Sequence, residues 1–154
     1  MNKKGPIVVI EDDLDDQMVL KAVFERIKVE NEVRFFSDGE AALLYLKDPQ
    51  VCPFLILSDV NMPKLNGFEL KRMVQTNEAL SAKCIPYLFF TTAVNEKAVY
   101  DAYTMSAQGF FVKPSSFEEL VTILTTMIGY WKLCYSPTSF TDRPVQFAEP
   151  IARF

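Results

Sequence analysis

Short apolar runs rich in β-branched and aromatic residues alternate along the chain with longer stretches of helical period. Five such strand-and-helix pairs can be counted, which is the pattern of βαβ units around a parallel sheet. The predicted strands cover residues 7–10, 32–36, 54–57, 87–90 and 110–112. Parallel connections require right-handed crossovers, so the sequence predicts an α/β fold with a doubly wound five-stranded parallel sheet.

The starts of the predicted helices carry side chains that accept hydrogen bonds from free backbone amides. Asp38 precedes GEAALLYL, Asn66 precedes GFELKRMV, and Ser115 or Ser116 precedes FEELVTIL. Apolar residues in the first and last predicted helices recur at i, i+3 and i+4 spacing, so each helix presents one apolar stripe to the sheet.

At 154 residues the chain has the length of one ordinary domain. The predicted elements fill residues 1–134, whereas residues 135–154 are rich in Pro, Ser and Thr and lack a consistent period. We therefore expect one domain over 1–134 and a tail over 135–154. So short and irregular a tail is not expected to form an output domain such as a DNA-binding module.

Charge and composition exclude several classes of function. The net charge is −4 without a Lys/Arg cluster, so contact with nucleic acid is not expected. The apolar runs are too short for a membrane span or a signal peptide, and three scattered cysteines fit a reducing, cytoplasmic setting. Histidine is absent, which excludes a histidine base, a histidine metal ligand or a phosphohistidine on this chain.

Polar side chains follow the predicted strands at the edge where their carboxyl ends meet. Glu11 and Asp12 follow the first strand, Asp59 the third, Thr91 the fourth and Lys113 the fifth. In open α/β sheets, ligands bind at this edge, where the strand order reverses. Taken singly, all but Asp59 have an ordinary reading as loop acids, a strand-end hydroxyl or a surface lysine.

Asp59 is not readily explained as an ordinary loop acid. A buried strand that delivers a carboxylate into a cluster of carboxylates incurs repulsion unless a cation offsets it. Mg²⁺, which accepts one or two carboxylates plus waters and phosphate oxygens, and the Lys113 ammonium both suit this purpose. Asp59 is therefore predicted to be a nucleophile toward a phosphoryl group. Asp13, Asp15 and Asp16 are interpreted as partners of the positive end of the first helix.

Four motifs together resemble the receiver domain of two-component response regulators. They are IVVIEDD, LILSDVNMPKLNG, PYLFFTTA and GFFVKP, and they occur in this order within residues 6–132. The resemblance implies a flavodoxin-like fold with strand order 2-1-3-4-5. The closing YWKLCYSP is similar to the small single-domain regulators paired with phytochrome-like sensor kinases.

The resemblance implies a phosphoacceptor and a metal site. Asp59 matches the phosphoacceptor and also a metal ligand. Asp12 matches a direct Mg²⁺ ligand, Glu11 a ligand acting through water, and Asn61 a ligand through its backbone carbonyl.

The resemblance also implies a switch. Thr91 matches the hydroxyl that shifts toward the phosphoryl group, and Phe110 matches the aromatic residue that turns inward with it. Lys113 matches the amine that pairs with the acyl phosphate. The peptide bond between Lys113 and Pro114 matches one that is usually cis in the family, a modest cost before proline.

The partners follow from the same resemblance. Because the chain lacks histidine, a sensor histidine kinase or histidine phosphotransfer protein must donate the phosphoryl group. The chain is expected to be a substrate and switch, not an enzyme beyond self-catalysed phosphoryl acceptance and slow autodephosphorylation, and to act on an unknown protein target. Apolar and aromatic residues persist over 128–135, which suggests cover by either the tail or a second subunit, the alternative being that these side chains only pack against their own domain. The resemblance implies that a homodimer would form through helix four, strand five and helix five.

Individual positions in the sequence argue against three other functions. A phosphatase or phosphotransferase with an aspartyl nucleophile usually carries a second acid two residues later, where this chain has Asn61. A receiver-like module that interacts without phosphorylation would not need the acids together with Thr91 and Lys113. A flavin-binding protein of the same fold would need a phosphate loop rich in Ser, Thr and Gly after the first strand, and this chain has none there.

Overall fold

Five strands and six helices lie along residues 1–137, the part of the chain that this computed structural model describes, and a helix follows every strand. The strands are β1 (Ile7–Ile10), β2 (Val33–Phe36), β3 (Leu55–Ser58), β4 (Tyr87–Thr91) and β5 (Gly109–Val112). The helices are α1 (Leu14–Ile27), α2 (Gly39–Lys47), α3 (Gly67–Thr76), α4 (Glu78–Ser81), α5 (Glu96–Thr104) and α6 (Phe117–Leu133).

The strands form one parallel sheet in the order β2-β1-β3-β4-β5, which confirms the predicted α/β fold. In the register of the sheet, Ile10 lies beside Phe36 on one side and Ser58 on the other. The strand order reverses between β1 and β3, so the loops that follow these two strands face each other across a crevice.

Alternate side chains of the central strands enter two separate cores, which is why these strands are apolar without interruption. Val8 and Ile10 pack with α2, α3 and α5 on one face of the sheet. Ile7 and Val9 pack with α1 and α6 on the other face. Both faces are therefore covered, and the polar residues are left at the strand ends.

The predicted caps are confirmed. The side chain of Asp38 accepts from the Ala41 amide, and Ser116 rather than Ser115 caps α6. Asn66 and Glu69 form a reciprocal capping box at the start of α3. One helix was missed: α4 follows Asn77 and has only four residues, too few to show a helical period.

The domain boundary and the tail stay predictions. Helix α6 ends at Leu133, and Ser136 is buried, but residues 138–154, most of the predicted tail, lie outside the described residues. None of the helices within residues 1–137 has both the length and the apolar character needed to cross a membrane.

Candidate functional site

Asp59 is held by backbone contacts on both sides of the crevice. Its amide donates to the carbonyl of Ile10 at 3.0 Å, and its carboxylate accepts from the Val60 amide at 2.6 Å. The start of α3 presses against it, because a Cβ on Gly67 would lie 2.1 Å from the Asp59 carbonyl oxygen. The rigid end of β3 and the first residue of α3 therefore fix this carboxylate.

Three carboxylates meet at this end of the sheet. Glu11, Asp12 and Asp59 each offer an oxygen, and these oxygens lie within 4.8 Å of one another. Glu11 is buried, Asp12 is exposed, and the side chain of Asp59 is 11% exposed. An all-oxygen donor set of this kind fits a hard divalent cation, so the residues present are suited to a metal ion.

Lys113 brings a positive charge into the same cluster. Its side chain is 7% exposed, and its Nζ pairs with Glu11, with Asp16 at 3.2 Å and with Asp59 at 3.4 Å. The Lys113 amide donates to the carbonyl of Thr91 at 2.8 Å, so the end of β4 holds the lysine backbone in place. The polar residues predicted from the strand ends are thus neighbours in space.

Asp16 is a member of the cluster that the sequence reasoning missed. Asp16 lies in the first turn of α1, where Asp13 is the N-cap and accepts from the amides of Asp15 and Asp16. The interpretation of these acids as helix partners is correct for Asp13, but the carboxylate of Asp16 also reaches Lys113. The signal was available, since the start of α1 lies at the same sheet edge as the strand ends.

Burial and charge act in opposite directions on this cluster. Burial raises the pKa of Glu11 to about 7, although hydrogen bonds from Lys113 and the Asp13 amide oppose the shift. Burial also disfavours the charged form of Lys113, but Glu11 and Asp59 outweigh it and raise the pKa of the ammonium. The lysine therefore stays charged, while Glu11 is poised to lose a proton near neutral pH.

The two expected switch residues lie on neighbouring strands. Thr91 is fully buried, and its hydroxyl accepts from the Ala93 amide at 3.2 Å. Phe110 on β5 is half-buried and packs against the core, with its ring centroid 6.0 Å from that of Phe89.

Two further details concern the loops around the cluster. Asn61 is exposed and lines a pocket between the β3–α3 and β4–α5 loops. The bond between Lys113 and Pro114 is trans, so the expectation of a cis bond is wrong for this structure. The trans isomer is the intrinsically favoured one before proline, by about 0.5–1 kcal/mol.

Comparison with known proteins agrees with this arrangement. Residues 7–125 match the family model of the response regulator receiver domain. A probable methanogenesis regulatory protein, FilR2 of Methanothrix harundinacea, is 30% identical over 129 residues, covering 81% of this chain and 82% of the relative.

Two response regulators connect this match to solved structures. Rcp1 of Synechocystis is 27% identical over 84% of this chain and 90% of its own. A solved Mn²⁺-bound form of Rcp1 has a TM-score of 0.74 at 25% identity, covering 86% of this chain and 97% of that one. The phosphorylated cyanobacterial phytochrome response regulator RcpA shares the fold, with a TM-score of 0.75 at 24% identity over 86% and 96% of the two chains.

The family match spans most of the chain, and the acids and the lysine that the motifs predicted stand together at one edge of the expected sheet. The phosphatase and flavin-binding alternatives are not favoured by these matches. The chain belongs to the response regulator receiver domain family of two-component systems and is homologous to single-domain response regulators such as Rcp1.

Proposed function

We propose that this chain is a phosphorylation-dependent switch in which Asp59 accepts a phosphoryl group from a phosphohistidine of another protein. The position of Asp59 carries the proposal: its carboxylate ends a central strand beside Glu11 and Asp12, and lies 3.4 Å from the Nζ of Lys113. The 154 residues contain no histidine, so the donor is a partner such as a sensor histidine kinase or a histidine phosphotransfer protein.

The transfer is an in-line displacement at phosphorus. A carboxylate oxygen of Asp59 forms a bond to phosphorus while the bond to the donor's imidazole nitrogen breaks, and the electron pair leaves with the imidazole. The transition state is loose, so catalysis consists of positioning and of neutralising charge on the transferred oxygens. Lys113 supplies positive charge from this chain, and the product is an acyl phosphate on Asp59.

Mg²⁺ is the metal that we assign to the acidic cluster. Asp12 and Asp59 would bind it through their carboxylates, Asn61 through its backbone carbonyl, and Glu11 through a water. When bound, the ion adds positive charge beside the transferred group. The oxygen-only donor set supports this assignment, as does the existence of an Mn²⁺-bound form of the relative Rcp1.

Thr91 and Phe110 are proposed to carry the signal away from Asp59. We expect the Thr91 hydroxyl to exchange its bond with the Ala93 amide for one with the phosphoryl group. Phe110 would then turn further into the core beside Phe89 and reshape the surface formed by α5, β5 and α6. In this scheme the chain is a substrate and a switch, and the reaction that it performs is limited to its own phosphorylation and dephosphorylation.

The donor is proposed to dock on the exposed start of α1. Leu14 and Met18 are 67% and 68% exposed, although both are large and apolar. They lie one turn apart on the helix whose first turn also places Asp16 against Lys113. An apolar surface at the rim of a charged site suits a protein partner that brings its phosphohistidine to Asp59.

A second copy of the chain is the proposed partner of the surface formed by α5, β5 and α6. These helices are the fourth and fifth helices of the sequence prediction, which did not include the short helix α4. Exposed side chains there are Tyr100, Tyr103, Val112 and Tyr130. Aromatic residues of this kind are enriched in protein interfaces, and a two-fold dimer is the commonest assembly of soluble proteins. The downstream target that reads the altered surface is a further protein of unknown identity.

The proposal is tested by intact mass after incubation with a small phosphodonor such as acetyl phosphate. The parent should gain the mass of one phosphoryl group in Mg²⁺, and should gain none in excess EDTA. Asp59→Asn should gain none in either condition, whereas Asp15→Asn, a matched change of an exposed acid, should behave as the parent does. Equal modification of the parent and Asp59→Asn would refute the assignment.

A further inference from the structure

Lys71 is a buried lysine that the proposed function does not use. It lies on the apolar stripe of α3 between Leu70 and Val74 and is only 6% exposed. Its Nζ lies 5.8 Å from the ring centroid of the buried Tyr87. Within residues 1–137, Lys71 forms neither an ion pair with a carboxylate nor a hydrogen bond.

Other shielded lysines of this chain have strong polar partners. Lys83 donates to the carbonyls of Leu46, Asp48 and Val51 at 2.6–2.8 Å, and Lys113 pairs with three carboxylates. Burial lowers the pKa of Lys71, and within residues 1–137 no neighbouring charge offsets that effect. The stem of Lys71 is buried, but its ammonium is not fully enclosed, and the residue lines a pocket in which an anion from outside the fold would give the ammonium the partner that the described residues do not supply.

Lys71 lines a pocket of about 340 Å³ that has room for a small molecule. One wall is apolar and includes Val74, Ile85, Pro86 and Trp131.

A second donor completes the pocket. Gln108 lies on the rim, and its Oε1 accepts from the Tyr87 amide at 2.8 Å. Gln108 is exposed, and its amide hydrogens have no acceptor in the described part of the chain, so they can be donated to a ligand in the pocket in place of water.

We propose that this pocket binds a small organic monocarboxylate, with its carboxylate on Lys71 and Gln108 and its apolar body against Trp131. One positive charge matches one carboxylate better than it matches a phosphate dianion. The pocket is also separate from the phosphorylation site. Pro86 and Gln108 directly precede β4 and β5, whereas Asp59 follows the opposite end of β3.

Trp131 makes the test direct, because it is the single tryptophan of the chain and lines the pocket. Tryptophan fluorescence of the full chain is titrated with benzoate and, separately, with benzamide, the neutral molecule of nearly the same shape. We expect a saturable change with benzoate and little change with benzamide. Lys71→Met should bind benzoate about tenfold more weakly, the loss expected for one charge-assisted contact.

Three variants make the result specific. Lys71→Arg should retain most of the affinity, and Lys97→Met, which removes an exposed lysine outside the pocket, should bind as the parent does. Lys71→Met should fold, since methionine is an apolar side chain of similar length that can fill the space of the buried lysine stem. Thermal melting of each variant checks this point.

Three outcomes would overturn the proposal. The first is a response to benzoate no larger than the response to benzamide. The second is equal affinity of the parent and Lys71→Met, which would make Lys71 a packing residue whose head group reaches water. The third is benzoate binding that appears only after Asp142→Asn and Glu149→Gln, which would mean that tail carboxylates occupy the pocket.

Discussion

Lys113 forms ion pairs with three carboxylates, and the effect of its pair with Asp16 on phosphorylation can be tested directly. Asp16 is 44% exposed, so its pair with Lys113 is worth about 0.2–1 kcal/mol. Asp16→Asn should leave Lys113 to Glu11 and Asp59 and remove a negative charge near the incoming phosphoryl group. We predict that phosphorylation by acetyl phosphate becomes faster, by up to about fivefold.

The matched control for Asp16→Asn is Asp15→Asn, because both acids lie in the first turn of α1 but Asp15 makes no ion pair with Lys113. Stopped-flow or quenched-flow rates should rise for Asp16→Asn alone. Slower phosphorylation of Asp16→Asn would show instead that Asp16 positions Lys113 for the reaction.

The buried Glu11 gives the apo protein a specific pH dependence. Burial raises the pKa of Glu11 from 4.5 to about 7, so between these values the native protein binds more protons than the unfolded chain. The free energy of unfolding therefore falls as the pH rises through this window. Urea unfolding in EDTA measures this effect. Between pH 4.5 and about 7, the free energy of unfolding of the parent should fall by roughly 1–3 kcal/mol more than that of Glu11→Gln. If the free energy of unfolding depends on pH in the same way in the parent and in Glu11→Gln, the pKa of Glu11 is not raised as proposed.

At the scale of elements, the contact between α3 and the end of β3 predicts opposite effects for two glycines. Gly67→Ala places a methyl group against the Asp59 carbonyl oxygen and should lower the free energy of unfolding by about 1–3 kcal/mol. It should also slow phosphorylation, because Asp59 moves. Gly129→Ala, in the middle of α6 with open space around it, should instead stabilise the protein by up to about 1 kcal/mol.

Chemical unfolding and phosphorylation rates of the two glycine variants are compared with those of the parent. If Gly67→Ala is as stable and as reactive as the parent, the close approach of α3 to Asp59 is not what fixes the carboxylate.

The elements themselves were largely predictable. Each strand was placed within one residue of its position, because a strand buried on both faces is a continuous apolar run bounded by polar residues. The strand ends then located Glu11, Asp59 and Lys113 without knowledge of the packing. Helix α4 was missed because its four residues show no period.

Contacts between helices and strand ends were not predictable in the same way. The sequence does not show that Asp16 turns toward Lys113, since an acid in a first helical turn already has a sufficient local reason. Nor does it show that Lys71 is buried, because lysine is an ordinary residue of a helix surface. Both facts depend on how helices are rotated against the sheet, which side-chain packing decides.

For the whole molecule, the proposed dimer predicts a change of mass on activation. Beryllofluoride with Mg²⁺, which mimics the acyl phosphate, should shift the protein toward a dimer in light scattering after size exclusion. Tyr103→Ala, on the exposed face of α5, should weaken that dimer, whereas Leu44→Ala, an exposed apolar residue on α2, should not. A mass that is monomeric in every condition would exclude the dimer.

Identification of the modified residue tests the central claim most directly. Borohydride reduces an aspartyl phosphate to homoserine, and peptide mass spectrometry locates that residue in the chain. After incubation with a phosphodonor and Mg²⁺, the account predicts homoserine at position 59, and none when EDTA is present throughout. Homoserine at Asp12 or Asp16 instead, or at position 59 to the same extent in EDTA, would contradict it.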